Sequence, residues 1–532
     1  MNKSKLFNLL IASVLVIPFV VTASNSYSAE DLYKNNCQSC HGENRLGGMG
    51  PALFPENLSR IRKNKASKVI SHGRIATQMP GFGKTLSKDE ISALVDYIYT
   101  PAKTLPKWDL TDIKASQIQH FDQSKLPNKP QFKADLMNLF IVVELGDHSA
   151  TLLNGDTFEP ITRFKTRFAL HGGPKYSPDG RFVYFASRDG WISKYDIYNM
   201  KVVSEVRAGI NTRNMAVSSD GKYAIVGNYL PHSAVILDTK DLSPIKVIDV
   251  TDKAGASSRV SAVYNAPPRT SFIVALKDVK EVWEIPYSSE DGVTVYKTTA
   301  HASFKNIQQK DGGEGAVETW GSQSQFPIKR ITTEDYLDDF FFDPDYIHLI
   351  GTSREKHNGQ VINLDGSKKV ATIQMQGMPH LGSGITWDYK GKQVFASPNI
   401  KDGLVSVIDM QNWQVIKEIK TQGPGFFMRS HNNSPYAWVD VFFGPNKEKV
   451  HIIDKATLEI VKTIAPAPGK TAAHVEFTKD GKYVLLSIWD NEGAVIVYDA
   501  NTLEEIKRLP MKKPSGKYNV YNKTHYERGT SH

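Results

Sequence analysis

Ser177-Pro178-Asp179-Gly180-Arg181 is the first of four related turns that decide the fold of most of this 532-residue chain. The others are Ser219-Asp220-Gly221-Lys222, Tyr389-Lys390-Gly391-Lys392 and Lys479-Asp480-Gly481-Lys482. Each precedes a short run rich in Val, Ile, Phe or Tyr, which is typical of a hairpin turn with glycine at its positive-φ position. Long helical periodicities are absent from about Asp135 onward, so we predict that this part of the chain is β structure.

Apolar runs that end in Asp or Asn before a polar turn set the length of the repeat. These end points are Asn154, Asp196, Asp238, Asn363, Asp409, Asp454 and Asp499. The steps between them are 42, 42, 125, 46, 45 and 45 residues, and the long step contains a further apolar run, Val282-Trp283-Glu284-Ile285. A period near 45 residues with four strands in each unit is the pattern of a β-propeller. The sequence therefore predicts an all-β, eight-bladed propeller over 135–532 with a long insertion at about 288–330; seven blades is the alternative.

The chain has two cysteines, and both lie in Cys37-Gln38-Ser39-Cys40-His41. This spacing suits two thioether bonds to the vinyl groups of a haem, with the adjacent His41 imidazole as a ligand of its iron. A disulfide of the thioredoxin type is the alternative, but that motif lies in a βαβ pattern, which is missing around these residues. We therefore predict one covalent haem c, attached through Cys37 and Cys40 and bound by His41.

A methionine further along the chain is expected as the second iron ligand, because a thioether raises the reduction potential to suit an electron carrier. Met79, in the rigid loop Thr77-Gln78-Met79-Pro80-Gly81-Phe82, is the predicted ligand, and Met49 is the alternative. Ser87-Lys88-Asp89-Glu90 then has the form of a capping box and precedes apolar residues at helical spacing. These features predict an all-α c-type cytochrome domain over 29–100, followed by a proline-punctuated linker over 101–134.

The N-terminus has the pattern of a signal peptide. Lys3 and Lys5 make a basic start, and the apolar run that follows at 9–21 is too short to span a bilayer. We predict a signal peptide over 1–28 and export to the periplasm. Cleavage after Ser28 or after Ala29 stays open, and a retained anchor is the alternative. No second apolar stretch follows, so no membrane span is expected once the signal is removed.

The charge distribution argues against one large class of partners. The formal net charge is +9, yet no block of five or more like charges occurs, and basic and aromatic residues are not interleaved. Nucleic-acid binding is therefore not indicated. A modest basic excess is better suited to attracting an acidic redox partner or an anionic ligand.

Four histidines are candidate functional residues of the propeller. His171, His380, His431 and His474 lie in different predicted blades, each near a strand start or turn, where side chains can converge on one end of the central channel. A propeller alone does not state a function, because the fold serves many. For any single histidine of the four, a place on the surface or in the core is the alternative.

Five segments of the sequence are specific in combination, although each alone would be a weak signal. They are 37–79 with Arg45-Leu46-Gly47-Gly48-Met49-Gly50-Pro51, then Leu170-His171-Gly172-Gly173, Ser187-Arg188-Asp189-Gly190, Pro379-His380-Leu381-Gly382-Ser383-Gly384 and Gly516-Lys517-Tyr518-Asn519-Val520-Tyr521-Asn522. With these segments the chain resembles the cytochrome cd1 family over almost its full mature length. The resemblance implies a c-type cytochrome domain joined to an eight-bladed propeller that holds a non-covalent haem d1 or dihydro-haem d1.

The same resemblance implies residues for the second haem. His171 would be the proximal ligand of the d1 iron, and Arg188 and Arg213 would line the pocket. A planar guanidinium binds a carboxylate through two parallel hydrogen bonds, which suits a macrocycle that carries several carboxylates. Arg167 and Arg259 are further candidates for the same role.

One departure from the family pattern bears on the activity. Nitrite reductases of this family place two histidines over the distal face of haem d1 to deliver protons, and His380 matches one of them. The segment that should hold the other, Tyr336-Leu337-Asp338-Asp339-Phe340, has an acid instead. This difference favours the branch of the family that completes haem d1, and a cytochrome cd1-type nitrite reductase is the first alternative.

The reaction implied is oxidation of the propionate arm of dihydro-haem d1 to an acrylate, with electrons passing to haem c. A positioned base of near-neutral pKa is needed for the protons, and histidine is the natural type. We expect His380 and His474 in this role, with Tyr518 as a hydrogen-bonding partner. His431 is a further candidate for the base. The partners implied are a cytochrome cd1 nitrite reductase and a soluble redox carrier. A haem d1 carrier without catalysis is the second alternative, but a carrier has no need of a haem c.

Overall fold

In the computed structural model, the described residues are 28–48, 50–58, 61–73, 79–104, 106–287, 325–352 and 358–525. Nearly all of the predicted signal peptide, most of the predicted insertion and Met49 lie outside these ranges. Among the described residues, none of the helices has the length and hydropathy needed to cross a lipid bilayer.

The N-terminal part of the chain is helical, as predicted. Its helices are Ala29–Asn36, Gln38–His41, Pro55–Leu58, Lys63–His72 and Lys88–Ile98, with a 3-10 turn at Glu43–Arg45. The predicted capping box is present, since the Ser87 hydroxyl accepts the Glu90 N–H at 3.2 Å and the Glu90 carboxylate accepts the Ser87 N–H at 2.8 Å. Apolar side chains from four of the helices, among them Leu32, Leu58, Ile70 and Leu94, form one core.

Most of the remaining described chain forms eight sheets, seven with four strands and one with five, so the predicted eight-bladed propeller is confirmed. The strands of each blade are given from the channel outward. Blade 1 consists of Pro514–Asn519, Leu139–Glu144, Ser149–Asn154 and Pro160–Lys165, and blade 2 of Lys175–Tyr176, Phe182–Ala186, Trp191–Asp196 and Lys201–Arg207. Blade 3 consists of Asn211–Val217, Tyr223–Leu230, Ser233–Asp238 and Pro244–Asp249, and blade 4 of Val260–Ala266, Ser271–Leu276, Glu281–Pro286 and Lys329–Thr332. Blade 5 consists of Asp339–Phe342, His348–Thr352, Asn358–Asn363 and Lys368–Gln374, and blade 6 of Ile385–Tyr389, Lys392–Pro398, Leu404–Asp409 and Gln414–Lys420. Blade 7 consists of Met428–Ser430, Tyr436–Asp440, Val450–Asp454 and Glu459–Ile464, and blade 8 of Ala472–Phe477, Tyr483–Ile488, Gly493–Asp499 and Glu505–Met511.

The two ends of the propeller sequence close the ring. The last strand, Pro514–Asn519, is the innermost strand of blade 1 and pairs antiparallel with Leu139–Glu144, with Tyr518 opposite Ile141. Because the first blade is completed by the last strand, the junction leaves no open sheet edge. A short helix, Val520–Thr524, follows and contacts the inner strands of blades 1 and 2.

The Asp and Asn residues that end the apolar runs, here called the Asp and Asn marks, and the quoted turns each lie at a particular place in a blade. Each Asp or Asn mark ends the third strand of its blade, where the side-chain oxygen accepts backbone N–H groups of the following turn. Asp499 Oδ1, for example, accepts from Asn501 and Thr502 at 2.8 Å each. In the quoted turns, Gly180 and Gly481 have φ of 73° and 74°, a conformation that residues with a β-carbon rarely adopt.

Part of the stretch predicted as a linker is packed on the propeller. Leu110–Ala115 is a helix capped by Asp109, whose carboxylate accepts the N–H groups of Thr111 and Asp112. Ile113 of this helix is fully buried in the core between blades 2 and 3. Ile118–Gln119 then adds a short strand to the outer edge of blade 2.

The repeated order of strands gives the channel two distinct ends. The innermost strands of neighbouring blades contact one another around it. Since every blade has the same up-and-down order, the loops that lead into these strands share one end, here called the mouth. The turns that follow the innermost strands share the opposite end, here called the far end.

Candidate functional site

The CxxCH motif forms a compact turn that presents its histidine. Gln38–His41 is one helical turn directly after the first helix. His41 is buried, and its Nδ1 lies 2.8 Å from the Pro51 carbonyl. A carbonyl oxygen can only accept a hydrogen bond, so Nδ1 carries the proton and Nε2 keeps its lone pair for a metal. Burial lowers the pKa of His41, which favours the neutral, ligating form.

The residues around this imidazole fit a covalent haem. Cys37 and Cys40 are free thiols in the structure, with no disulfide between them. A β-carbon on Gly50 would stand 2.8 Å from His41 Cε1, so the loop is tight enough here to require glycine. Met79 packs against the same apolar core as Cys37. The rival Met49 lies outside the described residues, so the choice of Met79 as the second ligand stays a prediction.

Arg45 holds the loop that follows the motif, a role that the sequence did not suggest. Its guanidinium donates to the carbonyls of Tyr97 and Thr100 at 2.6 and 2.9 Å. It also lies over the rings of Phe54 and Tyr97, with 4.9 and 4.7 Å to the ring centroids. The haem-binding loop is therefore fixed to the last helix of the cytochrome domain.

His171 is held at the mouth in the same way as His41. It precedes the innermost strand of blade 2, and its Nδ1 lies 2.7 Å from the Arg213 carbonyl. Nδ1 is therefore the protonated nitrogen, and Nε2 is the one able to bind a metal. The glycines that follow allow a tight turn, because a β-carbon on Gly173 would stand 2.8 Å from Tyr518 Cε1.

Two of the predicted pocket arginines lie beside His171. Arg213 Nη1 is 3.3 Å from both ring nitrogens of His171, and Arg213 Nε donates to the Ser261 carbonyl at 2.8 Å. The backbone N–H of Arg188 donates to the Ala169 carbonyl at 3.1 Å. The structure thus brings His171, Arg188 and Arg213 together at one edge of the mouth.

The other two predicted arginines are engaged elsewhere. Arg167 binds Glu205 through two hydrogen bonds of 2.9 and 2.6 Å and lies 3.9 Å from the Trp191 ring centroid. Arg259 binds the Asp278 carboxylate through two hydrogen bonds of 2.8 and 2.5 Å. Both guanidinium groups already have protein carboxylates as partners, and a role for either in cofactor binding stays a prediction.

His380 lies on another side of the mouth against an aromatic cluster. Its Nδ1 is 2.6 Å from the Phe426 carbonyl, and its ring stacks on the Phe426 ring with centroids 3.8 Å apart. Burial lowers the pKa of His380. The acid predicted in the 336–340 segment is close to this histidine, since Asp339 accepts the Gly382 N–H and the Tyr264 hydroxyl at 3.0 Å each.

His474 and Tyr518 form a buried pair in the channel wall. Their rings meet edge to face with centroids 5.0 Å apart, and His474 is 1% exposed. Burial holds the pKa of His474 well below its ordinary value and raises the pKa of Tyr518 to about 12. At neutral pH the pair is therefore an unprotonated imidazole beside a protonated phenol. This is the chemistry of a base next to a hydrogen-bond donor.

The backbone at His474 is strained, and its surroundings keep it so. His474 has φ of 56° at a bulge in the innermost strand of blade 8. Such a conformation costs about 1–3 kcal/mol and persists only where neighbouring groups fix it. Asp440 does this, because its carboxylate accepts the His474 N–H at 3.2 Å and those of Phe426 and Phe427 at 2.8 and 3.0 Å. One buried carboxylate thus positions both His474 and the aromatic platform of His380.

His431 is not brought to this site. It follows the innermost strand of blade 7 and so lies at the far end, where its carbonyl accepts the Lys455 ammonium at 3.0 Å. Its Nδ1 accepts the Asn433 N–H at 3.1 Å.

Arg429 is a further channel residue that sequence reasoning missed. It is 5% exposed in the innermost strand of blade 7, and its Nη1 donates to the Met428 carbonyl at 3.1 Å. Its Nε has no hydrogen-bond partner in the described part of the chain. Burial lowers the pKa of Arg429, and the charges of Glu476, Tyr518 and Asp440 oppose that shift. A buried cation with an unused donor fits the carboxylates of a tetrapyrrole. No pattern in the sequence distinguishes it, because several other innermost strands also contain a charged residue.

The fold and these sites define a c-type cytochrome joined to a haem-binding propeller. A family model described as cytochrome D1 heme domain matches residues 134–312 and 293–523, and one described as cytochrome C oxidase, cbb3-type, subunit III matches 27–98. The chain therefore belongs to the cytochrome d1 haem domain family, and the resemblance found in the sequence is confirmed.

Particular relatives narrow this class. The chain is 56% identical over 503 residues to the dihydro-heme d1 dehydrogenase of Pseudomonas aeruginosa, covering 94% of this chain and 95% of the relative. It is 24% identical over 555 residues to the nitrite reductase of Stutzerimonas stutzeri, covering 94% of each. It is also similar to the solved structure of dihydro-heme d1 dehydrogenase NirN in complex with DHE, with a TM-score of 0.86, 55% identity, and coverage of 94% of this chain and 100% of that chain.

Proposed function

We propose that this protein is an oxidoreductase that dehydrogenates the propionate side chain of dihydro-haem d1 to the acrylate of haem d1, the last step in making that cofactor. The observation that carries the proposal is the buried pair of His474 and Tyr518, an imidazole held neutral beside a phenol in the wall of the channel. The 56% identity to a relative named for this activity supports it.

Haem c is the proposed internal electron acceptor. Cys37 and Cys40 would attach it, His41 would bind its iron through Nε2, and Met79 would supply the second ligand. When bound, this haem takes up electrons one at a time. The free thiols, the oriented imidazole and the tight approach of Gly50 support this assignment.

Dihydro-haem d1 is the proposed substrate, bound at the mouth of the channel. His171 would bind its iron, and Arg188 and Arg213 would contact its carboxylates. Arg429 is added to this set, because it is buried with an unused Nε. Arg167 and Arg259 are less favoured for binding the carboxylates of the pigment, since each already binds a protein carboxylate.

The reaction needs a base and an outlet for electrons. A saturated pair of carbons becomes a double bond by losing two protons and two electrons, so each turnover needs two one-electron steps. His474 and His380 are the proposed bases, and burial keeps both imidazoles unprotonated. Tyr518 would donate its hydroxyl to the carboxylate of the reacting arm. A soluble one-electron carrier is the proposed final acceptor, and a cytochrome cd1 nitrite reductase would receive the finished haem d1.

The proposed organisation of the chain places these parts outside the cytoplasm. Residues 1–28 would be a signal peptide, 29–100 the cytochrome domain, 101–134 a linker and 135–532 the haem d1-binding propeller. Attachment of haem c and the pattern of the N-terminus both support a periplasmic location.

A nitrite reductase is the competing activity, and Asp339 argues against it. This acid occupies the segment where a second distal histidine is expected, beside Gly382 of the His380 loop. The test is to incubate the purified protein, loaded with haem c, with dihydro-haem d1 and oxidised cytochrome c, and to examine the extracted pigment by mass spectrometry. Loss of two hydrogen atoms is expected. Unchanged pigment, together with turnover of nitrite by the reduced protein, would overturn the proposal.

A further inference from the structure

Arg207 connects three parts of the chain at the boundary between the cytochrome domain and the propeller. It ends the outer strand of blade 2 and is 5% exposed. Apolar side chains surround this boundary, with Phe54 of the cytochrome domain packed against Ile210, directly before blade 3, and Leu230 of blade 3. A buried guanidinium at such a place must be held by hydrogen bonds on several sides.

Two of these bonds join the two haem-binding regions. Arg207 Nη2 donates to the Leu46 carbonyl at 2.6 Å, and Arg207 Nε donates to the Asp189 carbonyl at 2.9 Å. Leu46 lies in the loop after the CxxCH motif, where the next residue, Gly47, donates its N–H to the His41 carbonyl at 2.7 Å. Asp189 directly follows Arg188, which lies beside His171 at the mouth.

The linker holds Arg207 from a third side. The indole of Trp108 donates to the Arg207 carbonyl at 2.8 Å, and its ring lies under the guanidinium with 4.8 Å to the ring centroid. The Ser116 hydroxyl accepts the Arg207 N–H at 2.9 Å. Backbone and side chain are therefore both fixed, so the direction of the guanidinium is set by the propeller and the linker together.

We propose that Arg207 is a positioning residue for electron transfer between the two haem sites. Its planar fork presents Nε to the Asp189 carbonyl and Nη2 to the Leu46 carbonyl in a fixed geometry, whereas a lysine ammonium is a single point charge on a flexible stem. It also completes a short path of covalent and hydrogen bonds from His41 through Gly47, Leu46 and Asp189 to Arg188. The effect of Arg207 on catalysis rests on the function proposed above, whereas the role of Arg207 in holding the two loops does not.

The variants are Arg207→Lys and Arg207→Met, made in the full chain loaded with haem c. Arg181→Lys is the control, because Arg181 is also an arginine of blade 2 and only 12% of its side chain is exposed. It ties Asp196, at 2.9 Å, to Asn128 of the linker, also at 2.9 Å, so its hydrogen bonds among the described residues lie within the propeller and the linker. Thermal unfolding is compared first, so that only variants with the same midpoint as the parent protein are carried further.

Three measurements separate positioning from a general structural effect. The rate of haem c reduction after rapid mixing with dihydro-haem d1 reports the coupling, and titration of the pigment reports its binding. Hydrogen exchange over 43–58 and 187–191 reports the two loops without any turnover. We expect Arg207→Met to slow haem c reduction about 10-fold or more, because a small misplacement far from the chemistry has effects of this size. Binding is expected to change less than about twofold, and exchange to rise in both loops. In all three measurements, Arg207→Lys should lie between the parent protein and Arg207→Met, and Arg181→Lys should match the parent protein.

The possible failures are distinguishable. If the parent protein does not reduce haem c with dihydro-haem d1, the proposed function fails, while hydrogen exchange still tests the connection between the loops. If the parent reacts and Arg207→Met reduces haem c at the same rate, the inference about positioning is overturned. It is also overturned if the slower rate is matched by an equal loss of substrate affinity, since Arg207 would then act on binding.

Discussion

Replacing Asp440 by asparagine tests the buried centre of the propeller site. Asp440 is 0% exposed, and burial raises its pKa from 3.8 to about 6. A carboxyl group whose folded pKa is raised binds its proton more tightly in the folded state. Its contribution to stability is therefore fully present below the unfolded pKa and is lost as the pH rises through the folded one.

The size of this effect follows from the shift. Each pKa unit corresponds to 1.36 kcal/mol, so a shift of about two units is worth about 3 kcal/mol of unfolding free energy. Asparagine has no proton to lose. The parent protein should therefore lose about 3 kcal/mol of stability relative to Asp440→Asn between about pH 4 and about pH 7. A constant offset is also expected, because the asparagine side chain has only one oxygen to accept the N–H groups of Phe426, Phe427 and His474.

The assay is urea unfolding of both proteins across this pH range, followed by tryptophan fluorescence. Asp238→Asn, at the end of the third strand of blade 3, is the control for loss of one negative charge from the propeller. A stability difference between parent and Asp440→Asn that stays flat across the range would refute the reasoning. A difference that grows in favour of the parent as the pH rises would also refute it.

Three further outcomes are expected. His474→Gln should lower the rate of acrylate formation about 100-fold or more, the usual cost of losing a general base, while titration of the pigment shows unchanged binding; equal turnover would remove His474 from the mechanism. Gly50→Ala places a β-carbon 2.8 Å from His41 Cε1 and should change the absorption spectrum and midpoint potential of haem c, and an unaltered spectrum would contradict the tight fit. Arg269→Met leaves Glu284, now 2.8 Å away, buried without that partner, and calorimetry should find a destabilisation of about 3–5 kcal/mol; a loss below about 1 kcal/mol would show that the pair contributes little.

The architecture was predictable because its signals are local. The Asp and Asn marks end strands through hydrogen bonds to N–H groups two or three residues away, as at Asp499. The CxxCH motif and the capping box at Ser87 likewise depend on residues within one turn of helix. Repetition then multiplied these weak signals, which is why eight blades could be counted from the spacing together with the apolar run Val282-Trp283-Glu284-Ile285 in the long step.

The site was only partly predictable because its contacts join distant residues. His171 and Arg213 are 42 residues apart, one repeat, so their proximity follows from the period. The bond between Asp440 and His474 spans 34 residues, and that between Arg207 and Leu46 spans 161. No spacing rule marks either pair.

Histidines show the same limit. His380 and His431 look alike in the sequence, yet one lies before an innermost strand and the other after one, which places them at opposite ends of the channel. The register of each blade had to be known before the two could be separated. The same holds for Arg167, whose partner Glu205 lies on the outer strand of blade 2.

The central claim is that oxidation of the pigment and reduction of haem c are one process in one chain. The most direct test mixes dihydro-haem d1 with an excess of the oxidised protein, without any other acceptor, and counts reduced haem c against acrylate formed. The account predicts two haem c groups reduced for every acrylate, because two electrons leave the propionate arm; the haem c of the reacting chain takes one at a time and passes the first to the haem c of a second oxidised chain. Acrylate formed while haem c stays oxidised, or haem c reduced with no acrylate, would contradict it.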